Sequence, residues 1–313
     1  MDMQKTVRTA GRRGYWARLG YRIAQHWSLY LLLLPAVVYF VVFRLWPIWN
    51  MRLAFSNYKA RGAWTWAGLK WFEIIFSSGG FFTILQNTLR ISCMKYILMF
   101  PFAVVFAILL NELRSGRMRK LVQVTTYLPH FLSWVVIAGI FINILSPTCG
   151  LLNDIRALFG RAPIDYMTQK STIMGVLFSS ELWRSIGWDS IIYFAAILGI
   201  NQSLYEAAEI DGASRIQVIW YVVVPALITP MVTTFILNLG FFLDAGFDQV
   251  FNFTNDAVNS TIDILDTYIY RLGLGQGQYE VSTAVGLLKG VVGVILVLIT
   301  HLASKKVTGT GVW

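Results

Sequence analysis

The segment YEAAEIDGASRIQVIWYVVVP, residues 205–225, places a short polar insert between two long apolar stretches of the chain. A helix over about residues 203–211 brings Glu206 and Glu209 together, because residues three apart are neighbours on a helix surface. Gly212 predicts the end of this helix, since glycine accepts the left-handed conformation in which many helices end. The insert is therefore predicted to be a short, rigid, acidic helix.

The composition around this insert is that of a membrane protein. The chain has 313 residues, of which 56% are hydrophobic and 13% are charged, whereas soluble domains carry about 25% charged residues. Several apolar runs approach the roughly 20 residues needed to cross a bilayer. A net charge of +10 is no sign of nucleic-acid binding in such a chain, because the distribution of charge around the spans explains it. Cys93 and Cys149 lie in separate segments and are expected to be packing residues rather than a disulfide.

The apolar pattern predicts an all-α polytopic protein with six transmembrane helices. Residues 1–26 form a basic leader, residues 27–313 form the membrane domain, and residues 203–216 form a polar segment between spans. Prolines within the spans are acceptable, since neighbouring helices can satisfy the freed carbonyl groups. The predicted spans are residues 28–47, 82–110, 122–146, 171–200, 217–243 and 281–302.

The basic residues predict the orientation of these spans. The leader, the loop NELRSGRMRK and the tail after residue 301 are basic, which indicates that they lie in the cytoplasm. The loop over residues 244–280 is acidic and is predicted to lie outside, although the first outer loop carries four basic residues, against the trend. The prediction is a multi-pass protein of the bacterial cytoplasmic (inner) membrane with both termini in the cytoplasm.

The polar insert resembles a known signature. Glu206-Ala207-Ala208, three residues, Gly212, nine residues and then Val222-x-Val224-Pro225 resembles the "EAA" signature of ABC importer permeases, with valine where that family prefers isoleucine or leucine. The stretches LLNELRSGRMRKLVQVTTYLPHFLSWVVIAGIF, ELWRSIGWDSIIYFAAILGI and FDQVFNF are similar to the branch that imports oligosaccharides and polysaccharides, of the maltose and alginate types.

This resemblance implies a type I ABC importer permease fold and transport by alternating access. It implies that the insert is the coupling helix, which docks on a cytoplasmic ATPase through Glu206, Ala207, Ala208, Asp211 and Gly212. The implied partners are a second permease subunit, two ABC ATPase subunits, an extracytoplasmic solute-binding protein, a carbohydrate and the lipid bilayer. This chain is expected to bind no cofactor, since ATP and Mg are used by the ATPase.

The sequence itself contains no sign of catalysis. There is no G-x-x-x-x-G-K-[ST] phosphate loop, and the three histidines lie in separate segments, so no metal site is predicted. The chain is predicted to be a transport subunit rather than an enzyme. An ion-gradient-driven secondary sugar transporter is the alternative, for which Asp189 near the middle of a span is suitable. Such carriers often contain internal repeats, and none is evident here.

Polar and aromatic residues within the spans are candidates for the substrate pathway, because ionisable groups in a bilayer usually face a cavity or a partner. Aromatic rings suit the C–H faces of sugars, while amides and charges suit their hydroxyl groups. The alternative for Glu181 and Arg184 is a structural ion pair. Four basic candidates outnumber the acids Glu181 and Asp189, which suggests an acidic, uronate-containing cargo. The candidates are Arg90, Lys95, Asn143, Trp183, Arg184, Trp188, Asp189, Tyr193, Asn238 and Lys289.

Overall fold

The structure is a computed structural model that describes residues 24–308. The chain forms two compact units, Met1–Leu53 and Ala54–Trp313, which are described separately. Most of the predicted basic leader, residues 1–23, lies outside the described residues.

The first unit is an apolar helical run. Helix α1 (Trp27–Phe40) continues through a π-helical turn (Val41–Leu45) into α2 (Trp46–Asn50). None of the residues of α1 or α2 is buried. Together with a final 3-10 turn, the run Trp27–Phe55 has 29 residues and contains an 18-residue window with a mean hydropathy of 2.1, so it is long and apolar enough to cross a membrane.

The second unit is almost entirely helical. A two-residue antiparallel ladder pairs β1 (Ser56–Asn57) with β2 (Thr65–Trp66). The helices that follow are α3 (Lys70–Ser77), α4 (Gly79–Cys93), α5 (Met99–Glu112), α6 (Gly116–Tyr127), α7 (Trp134–Ile144), α8 (Leu151–Leu158), α9 (Ile173–Leu198), α10 (Gln202–Ile210), α11 (Arg215–Val218), α12 (Val224–Leu239), α13 (Phe247–Phe253), α14 (Asn259–Ile262), α15 (Leu265–Tyr270) and α16 (Tyr279–Thr308).

Three further helical runs are long and apolar enough to span a bilayer: Gly79–Glu112, Arg215–Leu239 and Tyr279–Leu302. A π-helical turn, Met94–Leu98, joins α4 to α5, and another, Ile219–Val223, joins α11 to α12. The second turn ends two residues before Pro225, which has no backbone N–H to donate to the preceding turn. The wider π geometry accommodates this local mismatch without ending the helix.

The third predicted span, residues 122–146, is not one straight helix, a feature that the sequence prediction did not include. Helical residues Gly116–Phe131 and Trp134–Ile144 form a pair bent by 107°. Leu132 and Ser133 adopt extended backbone angles at the break, and the Ser133 side chain accepts a hydrogen bond from the Val136 amide to begin α7. The sequence pattern alone could not reveal this bend, because no charged residue interrupts residues 122–146.

The fourth predicted span corresponds to α9, which has 26 residues and is long enough to cross a bilayer at about 1.5 Å per residue. Glu181, Arg184 and Asp189 interrupt its apolar character. Across residues 24–308, four helices, or five if the bent pair is one span, have the length and composition of a membrane span. A count of six is therefore not established by these criteria.

Helix α9 organises the packing of the second unit. It runs so close to α6 that a Cβ on Gly187 would lie only 2.4 Å from the Thr126 carbonyl oxygen. Near its carboxyl end, Tyr193 and Ile197 join a buried apolar cluster with residues of α5 and α12, which we call the α5–α9–α12 cluster. Its buried members are Ala103, Val104, Ala107, Tyr193, Ile197, Val223 and Leu227.

Candidate functional site

The polar insert folds as the sequence predicts, into a short helix with defined ends. The side-chain oxygen of Asn201 accepts a hydrogen bond from the Ser203 amide at 3.0 Å and begins α10. At the other end Gly212 has a φ of +72°, where a residue with a Cβ is strained. The amide of Ala213 donates to the Ala208 carbonyl at 2.9 Å, and that of Gly212 donates to Glu209 at 3.1 Å. This pair of bonds is the Schellman arrangement, which satisfies the last carbonyl groups of the helix.

A second helix begins almost at once. The Ser214 hydroxyl accepts from the Gln217 amide at 3.4 Å, while the Gln217 side chain accepts from the Ser214 amide at 2.7 Å. This reciprocal capping box fixes the entry into α11. We call residues 201–217 the elbow. Because hydrogen bonds define its turn at both sides, the elbow is expected to move as a rigid unit with the span that follows.

The outer surface of the elbow is free for a partner. Glu206, Ala207, Asp211 and Gly212 are exposed and Ala208 is half-buried. Among the described residues, no hydrogen bond or ion pair involves the side-chain carboxylates of Glu206, Glu209 and Asp211. The side chain of Ile210 is 86% exposed. An acidic surface beside an exposed apolar side chain has the character of a docking site.

The inner side of the elbow is anchored to the helices. Tyr205 is half-buried and packs against the α5–α9–α12 cluster. Its burial, reinforced by the nearby carboxylate of Glu112, raises the pKa of the Tyr205 phenol. Tyr205 therefore links α10 to the cluster formed by α5, α9 and α12.

A cavity of about 980 Å³ borders this cluster. Residues from the α4–α5 junction, α7, α9, α12 and residues 244–248 line it. Tyr193 belongs both to the cavity wall and to the α5–α9–α12 cluster, so the two features share a residue. The polar and aromatic lining residues are Lys95, Tyr96, Phe100, Trp134, Glu181, Arg184, Ser185, Trp188, Asp189, Tyr193, Thr234, Asn238, Asp244, Phe247 and Asp248.

The charged and aromatic side chains of the cavity make different kinds of contact. Lys95 forms an ion pair with Glu181, with an Nζ–Oε2 distance of 2.6 Å, and both side chains are largely buried. The Arg184 guanidinium lies 5.0 Å from the centre of the Trp134 ring. Trp188 stacks on His130 with ring centres 4.3 Å apart. Glu181 and Arg184 are therefore not paired with each other, although their i,i+3 spacing allowed that alternative.

Six of the ten residues predicted for the pathway line this cavity: Lys95, Arg184, Trp188, Asp189, Tyr193 and Asn238. The other four lie elsewhere. Arg90 is exposed and borders a separate apolar groove beside Cys93. Asn143 donates to the Gly139 carbonyl of its own helix, Trp183 packs against Phe141, and Lys289 pairs with Asp266 at 2.5 Å.

Sequence reasoning missed two acids of the cavity, Asp244 and Asp248. It treated both as outer-loop residues, whereas the chain after α12 turns back at Gly246, whose φ is +87°, and brings them to the wall. The isolated Gly246 between the two acids was the available signal for a tight turn. Within residues 24–308 there is no group of three or more His, Cys, Asp or Glu residues that could hold a metal ion.

Comparison with known proteins agrees with this arrangement. Residues 99–309 match the family model described as "Binding-protein-dependent transport system inner membrane component". The chain is 36% identical to the polygalacturonan/rhamnogalacturonan transport system permease protein YteP of Bacillus subtilis (strain 168) over 300 residues, covering 95% of this chain and 93% of YteP. It is 35% identical to protein LplB of the same organism over 288 residues, covering 91% of each.

Solved structures show the same fold. A chain of a bacterial ABC transporter involved in the import of the acidic polysaccharide alginate has a TM-score of 0.86 and 34% identity, covering 93% of this chain and 99% of that one. A chain of the bacterial alginate ABC transporter in complex with its pentasaccharide-bound periplasmic protein gives the same TM-score at 35% identity, covering 94% and 99%. These findings support the ABC importer over the ion-driven carrier. The chain belongs to the family of inner membrane components of binding-protein-dependent transport systems.

Proposed function

We propose that this chain is the permease subunit of an ABC importer that takes up oligosaccharides or polysaccharides rich in uronic acid by alternating access. The family and the polar cavity support the transport role. The cargo class rests on the relatives, since one is named for polygalacturonan and rhamnogalacturonan and another belongs to a transporter that imports alginate.

The charge excess that suggested an acidic cargo from sequence does not support it in the structure. Arg90 and Lys289, two of the four bases behind that argument, do not line the cavity. The wall instead carries two bases, Lys95 and Arg184, against four acids: Glu181, Asp189, Asp244 and Asp248. An acidic cargo must therefore be received at a particular residue rather than attracted by the overall charge of the cavity.

The proposed topology has six spans with both termini in the cytoplasm. The bent pair α6–α7 counts as one span and α9 as another, and the charged residues of α9 are acceptable because they face a cavity. The elbow then lies on the cytoplasmic face. There it docks on one of two ATPase subunits, which bind and hydrolyse ATP with Mg, while this chain binds no cofactor.

The other proposed partners complete the pathway. A second permease subunit supplies the facing half of the cavity, and an extracytoplasmic solute-binding protein delivers the carbohydrate. The similarity to a transporter that was solved with its sugar-loaded periplasmic protein supports this arrangement.

The observation that carries the proposed mechanism is the shared cluster between the elbow and the cavity. Tyr205 packs on the α5–α9–α12 cluster from the elbow side, and Tyr193 of the same cluster lines the cavity. When the ATPase pair closes on ATP, the elbow is displaced as a rigid unit. The displacement tilts α5, α9 and α12 together and opens the cavity toward the delivering protein. Lys95, Arg184, Trp188, Asp189, Tyr193 and Asn238 then meet the sugar.

The test of this proposal is Glu206→Lys in the complete importer, reconstituted in liposomes with its partner subunits. Reversing an exposed acid on a docking face places a positive charge in the interface, and mispaired charges cost several kcal/mol there. We expect cargo-stimulated ATP hydrolysis and uptake to fall at least about tenfold, and less ATPase to co-purify with the permease.

Asp154→Lys is the matched control. Asp154 is an exposed acid on α8, and its side chain has no ion pair among residues 24–308. The proposed topology places α8 on the outer side of the membrane, away from the elbow. This variant should transport normally. Wild-type transport by Glu206→Lys would refute the assignment of the elbow as the ATPase dock.

A further inference from the structure

The cavity contains two cations, and they differ in whether their charge is already neutralised. Lys95 is paired with Glu181 at 2.6 Å, and the two side chains are only 12% and 13% exposed. Arg184 makes no ion pair and no hydrogen bond with any of the residues that the structure describes, and its Nε is inaccessible and has no acceptor. Asp189 acts on Arg184 electrostatically but lies beyond ion-pair distance, so the guanidinium can still bind an anion that arrives from outside the chain.

Trp134 holds Arg184 in position without neutralising it. The guanidinium carbon lies 5.0 Å from the centre of the indole ring, within the range of a cation–π interaction. Such an interaction orients the planar guanidinium while leaving its two terminal groups, Nη1 and Nη2, available for hydrogen bonds in the guanidinium plane. Arginine in this state can bind a carboxylate through two parallel hydrogen bonds.

Trp188 places an aromatic ring beside this cation. It follows Arg184 by four residues on α9, and side chains at this spacing are neighbours on a helix surface. Its ring is fixed by stacking on His130, with an interplanar angle of 3°, and it lines the same cavity. A hexuronate presents an apolar C–H face and, at the edge of the ring, a carboxylate. The neighbouring indole and guanidinium match these two features.

The acids of the cavity make this position selective. Asp189 and Asp248 line the wall, and neither carboxylate has an ion pair or a hydrogen bond among residues 24–308. They can accept hydrogen bonds from sugar hydroxyl groups, but they repel a cargo carboxylate placed near them. Discrimination often combines an attractive contact with repulsion at the wrong places. A uronate is therefore tolerated in the orientation that turns its carboxylate toward Arg184.

We infer that Arg184, held on Trp134, receives the carboxylate of a uronate residue in transit while Trp188 stacks against the sugar ring. This inference rests on the proposed function and deepens it, since it assigns the recognition of uronate to one guanidinium. Lys95 has a different role, because its charge is compensated by Glu181 within the chain.

The experiment measures binding of a fluorescent tetragalacturonate to the complete importer in lipid nanodiscs, without the solute-binding protein. A carboxyl-reduced, neutral version of the same tetramer is measured in parallel. Arg184→Gln should weaken binding of the charged tetramer at least about tenfold, the effect of losing a charge-assisted hydrogen bond, and leave the neutral tetramer nearly unchanged. Arg184→Lys should recover part of the loss, since it keeps the charge but not the planar fork.

Arg90→Gln is the matched control, because it removes the same charge from a residue that borders a separate groove. It should change neither affinity. Equal weakening of both tetramers by Arg184→Gln, or unchanged binding of the charged one, would overturn the inference while leaving the proposed function intact. If the wild-type importer binds neither tetramer, the proposed cargo class fails, and the role of Arg184 fails with it.

Discussion

The elbow and the cavity are neighbours in the molecule but are built in opposite ways. The elbow owes its shape to bonds within residues 201–217: a side-chain cap, a left-handed glycine and a capping box. The cavity is assembled from distant parts of the chain, so that Lys95 of the π-helical turn Met94–Leu98 meets Glu181 of α9. The elbow is thus a local device on the surface, whereas the cavity depends on the packing of the whole second unit.

This difference predicts how mutations act. Changes in the elbow should impair the coupling of ATP hydrolysis to transport with little effect on overall stability, because few other contacts depend on it. Changes around the cavity should lower the stability of the protein itself, because they alter contacts between helices far apart in sequence. Each variant below is therefore measured both for unfolding temperature in nanodiscs and for cargo-stimulated ATP hydrolysis.

The largest loss of stability is expected from breaking the Lys95–Glu181 pair. Lys95→Met leaves the Glu181 carboxylate largely buried without its partner, which costs about 3 kcal/mol. The double variant Lys95→Met with Glu181→Leu should recover most of the stability, since two apolar groups replace the pair. The measurement is the unfolding temperature of the three proteins. If the single variant is as stable as the wild type, the pair makes no contribution to the cavity wall.

The next largest loss of stability is expected from a change at the contact between α6 and α9. Gly187→Ala introduces a Cβ that would collide with the backbone of Thr126, 2.4 Å away, and the helices must separate at a cost of about 1–3 kcal/mol. Gly175→Ala is the control on the same helix, because a Cβ there meets nothing within 4 Å. That change should be neutral or stabilising by up to about 1 kcal/mol, the helix propensity difference. Similar unfolding temperatures for the two variants would contradict the close approach.

The same contrast explains what could be predicted from the sequence. The helical character, the family and the elbow helix follow from hydrophobic runs, from the EAA signature and from a local signal, Gly212. The elbow helix predicted over residues 203–211 is observed as Gln202–Ile210. Signals of this kind determine the backbone conformation only within a few residues of themselves. They can therefore be interpreted without knowledge of the tertiary fold.

The cavity could be predicted only in part, for a physical reason. Its ionisable residues were visible, because charges are rare in apolar spans, and Lys95, Arg184 and Asp189 were found in this way. Which charges neutralise each other depends on contacts between distant elements, so the pairing of Lys289 with Asp266 and the placement of Asp244 and Asp248 were missed. The bend at Leu132 and Ser133 was missed because no charged residue interrupts the chain from residue 122 to residue 146.

In the elbow, Gly212→Ala should impair the coupling of ATP hydrolysis to transport while leaving the stability of the protein nearly unchanged. The residue has a φ of +72°, and a Cβ there costs about 1–2 kcal/mol in the left-handed conformation. Because nothing packs on Gly212 within 4 Å, the strain should distort the turn locally and lower cargo-stimulated ATP hydrolysis several-fold, with little change in unfolding temperature. Gly212→Asn is the control, since asparagine is tolerated in this conformation. Equal loss in both variants would indicate a steric effect at the docking surface instead of backbone strain.

The smallest effect is expected at the start of α11, the second helix of the elbow. Ser214→Ala removes the hydroxyl that accepts from the Gln217 amide and so breaks the capping box, a loss of about 1 kcal/mol. Ser214→Asp keeps an acceptor at this position and should retain most of the cap. Helix α11 continues through the π-helical turn Ile219–Val223 into α12. We therefore expect Ser214→Ala to make the connection between the elbow and α12 more flexible. Cargo-stimulated ATP hydrolysis should then fall about two-fold, since a 1 kcal/mol change in a local equilibrium is a factor of about five at most. An effect as large as that of Gly212→Ala would mean that the capping box, rather than the glycine turn, sets the rigidity through which the elbow moves the cavity helices.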